Sequence, residues 1–231
     1  MATCILVHGC GRGAQVSGDN GAALRTINAH LRAAVLPPIA TNDFDAVHVA
    51  DALAVPAGAR RSGTALPYLV AQQVYHFVTN AAVRVRATEA VATAVANDTR
   101  IVIAHSLGSV AAYDALCLLP RHNVTHFLTL GSPLAIPHYV RGRLSAFSAF
   151  GRHAWPRTLP TWLNYFDGRD PVAWWALRRH FGDGARIEDR PVKLAPGNPH
   201  YLSAYLTSRE VIASVGDALR LTSTVTTRRK A

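Results

Sequence analysis

The sequence predicts an α/β fold, a mostly parallel six-stranded sheet with helices on both faces. Three observations carry this expectation. Short apolar runs of strand length alternate with longer Ala-, Arg- and Leu-rich stretches of helical pattern. Hydrophobic residues make up 49% of the 231 and charged residues 16%, enough apolar material to bury a full core. No internal repeat, low-complexity block or linker divides the chain. Alternation of this kind puts helices on both faces of a sheet and ligands beyond the carboxyl ends of its strands.

The elements follow in order. Residues 4–8 (CILVH) form a first strand, closed by Gly9, and 21–35 a helix. Residues 46–50 (AVHVA) form the second strand, followed by a long helical stretch over 68–97. Residues 101–105 (IVIAH) run directly into a helix over 107–119, and 126–130 (HFLTL) end at Gly131. Residues 162–166 (WLNYF) make the fifth strand, 171–181 a helix opened by Pro171, and 187–194 the sixth strand. The strands are β-branched or aromatic-rich and bounded by Gly, Pro, Asp or Asn. The helix over 208–220 shows one apolar stripe of Val211, Ile212, Val215 and Leu219, with Thr207 and Glu210 as a capping box. Between the fourth and fifth strands, 134–160 is too long for a plain connection. It is rich in Pro, aromatic and basic residues (Arg141, Arg143, Arg152, His153, Arg157) and is expected as a cap or lid. Residues 1–220 then form one domain, and 221–231 a basic, flexible tail.

Composition excludes several classes. The net charge is +10, but all except two of the 24 basic residues, Lys193 and Lys230, are Arg, and Ala is abundant. No basic run interleaves with aromatics, so no nucleic acid is expected as a partner. The charge instead favours an anionic substrate or an anionic membrane surface. Three cysteines, Cys4, Cys10 and Cys117, are too few for a disulfide scaffold and fit reduced thiols. The start, MATCILVHG, has no features of a signal peptide, and no apolar run reaches membrane-span length. A cytoplasmic location is the expectation.

The chemistry concentrates at residues 101–108, IVIAHSLG. A strand runs into A-H-S-L-G and then a helix, the arrangement of a G-x-S-x-G nucleophile elbow with Ala104 at the first small position. The turn is sharp, and Ser106 must take a strained backbone for its hydroxyl to project from the sheet. Small residues at Ala104 and Gly108 are expected because these positions pack closely. The helix N-terminus adds a positive dipole and free amides. The plainer alternative is a serine that merely caps the helix.

With these residues in view, the sequence resembles the α/β-hydrolase superfamily, and looks most like small bacterial lipase/esterase-type serine hydrolases. The likeness covers about residues 4–220 and rests on CILVHGCGRG, VIAHSLGSVAAYDAL, FLTLGSPL, WLNYFDGRDPVAW and NPHYLSAYLTSREV. It implies an α/β-hydrolase fold pared down to six strands, without the usual leading hairpin.

The resemblance implies the chain order Ser, then Asp or Glu, then His. Asp170 and His200 each follow a predicted strand, at the edge where Ser106 also sits. Imidazole suits the role of base because it titrates near neutral pH, and a carboxylate fixes its tautomer. Asp167 competes with Asp170, which the D-P-V match favours; Asp167 would then tie down the turn. Asp183 is a weaker rival, and His180 and His153 are rivals of His200. The backbone N–H of Leu107 is one expected oxyanion donor. His8-Gly9 resembles the family's H-G-x signature, which makes the Cys10 N–H the second, with Gly11 as its neighbour. A nucleophilic Cys10 lacks an elbow around it. His8, Gly9, Gly11, His105 and Asp51 complete the support or substrate candidates; for Asp51 a loop-anchoring hydrogen bond is the plainer role.

Gly9-Cys10-Gly11-Arg12-Gly13-Ala14 also matches a dinucleotide fingerprint. That motif wants an acidic residue about 20 positions on at a strand end, and the count reaches Leu31 in a helical pattern. No cofactor is expected, and no metal-ligand spacing is present in the sequence. The expected function is a serine hydrolase of carboxylic esters or lipids. The same triad serves thioester or amide hydrolysis and acyl transfer, and a non-catalytic interaction domain on this scaffold is the alternative of another class. Phe147, Phe150, Trp155, Trp162, Trp174 and Trp175 are candidates for an acyl pocket.

Overall fold

Alternation within the strands decides which helices cover which face. In the computed structural model, which describes residues 3–9, 20–49, 66–136, 140–150, 154–173, 175–181 and 186–230, the strands are β1 (Cys4–His8), β2 (Phe44–His48), β3 (Ile101–His105), β4 (His126–Leu130), β5 (Thr161–Phe166) and β6 (Ile187–Pro191). They form one sheet of order β2-β1-β3-β4-β5-β6, every pair parallel. Side chains alternate with period two. Ile5, Val102, Phe127, Trp162 and Ile187 therefore make one row across the sheet, and Leu6, Ile103, Leu128 and Leu163 the row on the opposite face.

The helices are α1 (Asn20–Ala33), α2 (Leu66–Thr79), α3 (Ala81–Ala94), α4 (Leu107–Leu118), α5 (Ser145–Phe150), α6 (Leu202–Leu206) and α7 (Arg209–Lys230). The first row packs under α2, α3 and α4, with Phe77, Val91, Val110 and Leu116 buried against it. The second packs under α1, α6 and α7, with Ile27, Leu31, Leu206, Val211 and Val215. Burying strands on both faces is what makes their sequences continuous apolar runs. The chain goes from β1 outward to β2 and then back across β1 to β3. Crossovers therefore leave in opposite directions from neighbouring strands, and their carboxyl ends open a crevice there. No helix among the described residues is long and apolar enough to cross a membrane.

Several boundaries differ from expectation. The second strand begins two residues earlier, at Phe44, and the sixth ends at Pro191. The stretch 68–97 is two helices. Asn80 takes an extended backbone and its side chain accepts from the Val83 N–H, while Arg84 donates back to the Val78 carbonyl that ends α2. No α-helix spans 171–181 among the described residues. Asp170 captures the Val172 N–H, and Asp189 on β6 captures those of Leu177 and Arg178. Those amides point at carboxylates rather than along a helix, leaving only a 3-10 turn at Arg178–His180. The final helix starts at Arg209, so Ser208, not Thr207, precedes it. The Ser208 hydroxyl donates to Glu210, and Thr207 turns back to the Ala204 carbonyl. With no Gly or Pro after Gly216, α7 runs on to Lys230, so 221–230, expected as a flexible tail, are helical.

The described part of 134–160 packs on α4. Val140, Leu144, Ala146, Ala154 and Leu159 are buried in the core on that face. Asp114 of α4 accepts the N–H groups of Ser145 and Ala146, and the Tyr113 hydroxyl donates to the Ala154 carbonyl. Trp162 is fully buried, Phe147 and Trp155 pack on the same core, and Phe150 and Trp175 are exposed. Trp174 lies outside the described residues.

Candidate active site

The elbow is built by strand register. The Ser106 N–H donates to the Leu130 carbonyl of β4 at 3.0 Å, continuing the ladder one residue beyond β3. The backbone then turns at once into α4, with Ser106 at φ 53° and ψ −132°. This is a conformation that side chains other than Gly rarely adopt, and it costs on the order of 1–3 kcal/mol. A Cβ on Gly108 would strike the Val7 carbonyl of β1, and one on Gly9 would strike the amides of Leu107 and Gly108. The sequence-based reason for Gly108 thus needs revising: the obstacle is the β1 backbone rather than Ala104. The two glycines let the end of β1 and the start of α4 interlock in the crevice between β1 and β3.

The Ser106 hydroxyl makes no cap bond to α4. It lies 2.9 Å from Nε2 of His200 instead. Nδ1 of His200 lies 2.9 Å from each carboxylate oxygen of Asp170, so Nδ1 carries the ring proton and Nε2 accepts from the serine. All three residues are buried. Asp170 receives the Val172 N–H on Oδ1 and the Tyr205 hydroxyl on Oδ2, at 2.8 and 2.9 Å. The His200 N–H donates to Oδ1 of Asn198.

Asp167 faces elsewhere. Arg169 donates through Nε and its main-chain N–H to Oδ1 and through Nη2 to Oδ2, and the Leu194 N–H also donates to Oδ2. The Arg169 hydrogen bonds hold its carboxyl down to about 2. It ties the turn after β5 to the segment after β6, as the sequence suggested for the rival of Asp170. His180 sits in the 3-10 turn, and Asp183 and His153 lie outside the described residues.

A line of histidines runs beside the elbow. His48, His8 and His105 are register partners on β2, β1 and β3. Nε2 of His105 donates to the His200 carbonyl at 2.9 Å, which leaves its Nδ1 as an acceptor, 3.5 Å from Nδ1 of His8. Burial, aided by the neighbouring histidines, pushes His8 down to about 4 and His105 well below the usual imidazole range. Both rings are neutral near pH 7 and add no positive charge beside His200. Among the described residues, no three His, Cys, Asp or Glu side chains converge as a metal ion would require.

No family model matches the chain. No curated protein is similar to it. Solved structures are similar to it, among them the following three. A protein described as a YdeN-like hydrolase, from Pectobacterium atrosepticum, is 12% identical with a TM-score of 0.47, over 96% of this chain and 92% of its own. The esterase domain of a Rhodothermus marinus protein is 16% identical with a TM-score of 0.43, over 94% and 84%. RedJ, solved with a polyethylene glycol in its active site, is 16% identical with a TM-score of 0.39, over 94% and 89%. At such scores these likenesses carry no argument about chemistry. The parallel sheet order and the strand–elbow–helix at Ser106 decide the architecture. The fold is that of an α/β hydrolase.

On this hydrolase fold the structure brings together Ser106, Asp170 and His200. Leu107 opens α4 directly after the serine, and Gly9 packs against it. Cys10, Gly11 and Asp51 lie outside the described residues. Sequence reasoning missed Tyr205 and gave Gly131 no role of its own. Gly131 ends β4 at φ 56°, and a Cβ there would come within 3.0 Å of both Asp170 Oδ2 and the Tyr205 ring. The only local signal was the glycine in L-G-S-P; nothing near Tyr205 in the sequence announces its partner.

Proposed function

We propose that the protein is a serine hydrolase that cleaves carboxylic esters, lipid esters among them, through an acyl-enzyme on Ser106. The observation that carries this reading is the continuous chain Ser106 Oγ, His200 Nε2, His200 Nδ1 and Asp170 carboxylate, each link 2.9 Å. Ser106 attacks the ester carbonyl while His200 takes its proton; Asp170 holds the tautomer and stabilises the imidazolium. His200 returns the proton to the leaving alcohol. It then draws one from water, which attacks the acyl-enzyme, and passes that proton to Ser106 Oγ as the bond to the acyl group breaks and the acid leaves. The Leu107 N–H is one donor to the oxyanion, and the Cys10 N–H after β1 is the proposed second. A hydroxyl held by an imidazole rather than by the helix, on a backbone in a rarely adopted conformation, supports nucleophile over cap.

The test is hydrolysis of p-nitrophenyl esters of short to long acyl chains, together with fluorophosphonate labelling. Turnover and labelling by the wild type, both abolished in Ser106→Ala, are the expected result, and the chain-length profile separates esterase from lipase. A wild type that neither turns over nor takes the label at Ser106 overturns the proposal and favours a binding domain.

A further inference from the structure

We propose that Tyr205 is a positioning residue of this centre: its phenol fixes the second oxygen of the Asp170 carboxylate and thereby sets how strongly that carboxylate holds the His200 imidazolium. The inference deepens the triad reading and rests on it.

The direction of the hydrogen bond follows from the donors present. Tyr205 is fully buried on α6, its hydroxyl 2.9 Å from Asp170 Oδ2. The main-chain N–H of Asp167 reaches the same phenol oxygen at 3.3 Å. An amide N–H can only donate, so the phenol oxygen accepts there and its own proton goes to Asp170. Burial and the adjacent carboxylate push the phenol's ionisation upward, so it keeps that proton at any working pH.

Asp170 is fully buried, and among the described residues its ion-pair partner is His200. A buried carboxylate without a lysine or arginine beside it depends on neutral donors. Val172 N–H serves Oδ1 and Tyr205 serves Oδ2, one for each oxygen. Each neutral donor takes up carboxylate charge that would otherwise act on the imidazolium. The bare Cα of Gly131 keeps the place where phenol and carboxylate meet open, because a side chain there would press on both. Tyr205 follows His200 in one short stretch, so base and phenol approach the acid together.

Among the described residues, titratable groups face His200 from several neighbouring elements. Asp170 follows β5, His105 ends β3, His8 ends β1 and Tyr205 lies on α6. His105 and His8 are held neutral, and Asp167 is paired with Arg169. Loss of the phenol proton therefore acts on His200 through Asp170.

The experiment follows the rate of fluorophosphonate labelling at Ser106 against pH, in wild type and Tyr205→Phe. Removing the donor returns charge to the carboxylate, and the imidazolium persists to higher pH. The acid limb is expected to move up by about half a unit to one unit. A purely structural tyrosine would lower the plateau or the melting temperature and leave the limb in place. Site-specific 3-fluorotyrosine at 205 keeps the shape if Tyr205→Phe does not fold. Its more acidic phenol donates more strongly, and the limb is expected to move down. Labelling with limbs that coincide with wild type in the variants that fold overturns this inference alone. A wild type that takes no label overturns the triad reading, and this inference with it.

Discussion

Nε2 of His105 donates to the main-chain carbonyl of His200 at 2.9 Å. The residue just before Ser106 thus holds the backbone of His200, the proposed base, which faces it. The other nitrogen of the ring meets His8, at the head of the loop proposed for the oxyanion. His105→Leu keeps the bulk and loses the donor. It is expected to lower kcat/KM for ester hydrolysis by about 10–100-fold, because small displacements of a base cost heavily in rate. His105→Gln, whose amide donates, recovers part of the loss. Wild-type rates in His105→Leu would dismiss the role.

The two aspartates after β5 are expected to separate by assay. Asp170→Asn should lower turnover by roughly 10³- to 10⁴-fold, since the amide favours the wrong imidazole tautomer. Asp167→Asn should stay within a few-fold of wild-type activity and lose melting temperature instead. Asp167 titrates at about 2 in the fold, against about 3.9 for an unstructured aspartate. A depressed carboxyl stabilises above the unfolded value and loses that contribution as pH falls through the folded one. The melting difference between wild type and Asp167→Asn should therefore be full near pH 6 and shrink from pH 4 towards 2.

Ser106 pays for its position in backbone strain. Ser106→Gly relieves a φ of 53° and is expected to raise stability by about 1 kcal/mol while abolishing turnover. Denaturant midpoints for wild type, Ser106→Gly and Ser106→Ala test this. Equal stability of the Gly and Ala variants would mean the turn is not strained.

Asp114 is fully buried, and burial pushes its carboxyl upward. Its oxygens nonetheless accept the Ser145 and Ala146 amides that open α5. Asp114→Ala should cost about 2–3 kcal/mol, because the buried Ala146 amide and the half-buried Ser145 amide lose their acceptor. Hydrogen exchange should rise first over 145–150. Uniform exchange across the chain would show that the aspartate does not anchor this segment.

Strands 4–8, 101–105 and 126–130 were legible to the residue, because burial on both faces leaves short apolar runs with sharp ends. That Ser106, Asp170 and His200 would come together was legible from the elbow, the family resemblance and their place after strands. Two failures share one cause. The 171–181 helix is undone by Asp189, which arrives from a strand later in the chain, and Tyr205 gains its meaning from Asp170 across the fold. Neither interaction leaves a local pattern. The break at Asn80 was legible in principle, as an Asn before a helical run is an N-cap signal. Gly108 read correctly as a position needing a small residue, but only the structure shows that it clears the Val7 carbonyl and that Gly9 clears the amides of Leu107 and Gly108.

The interlocked turns around Ser106 draw on β1, β3 and β4, whereas His200 and Tyr205 come from beyond β6. In the order of synthesis, the turn around Ser106 emerges well before His200 and Tyr205. A nascent chain would carry an ordinary alcohol at Ser106 until the segment of 198–206 has emerged and docked, and on the proposed chemistry such a half-made molecule would be unreactive.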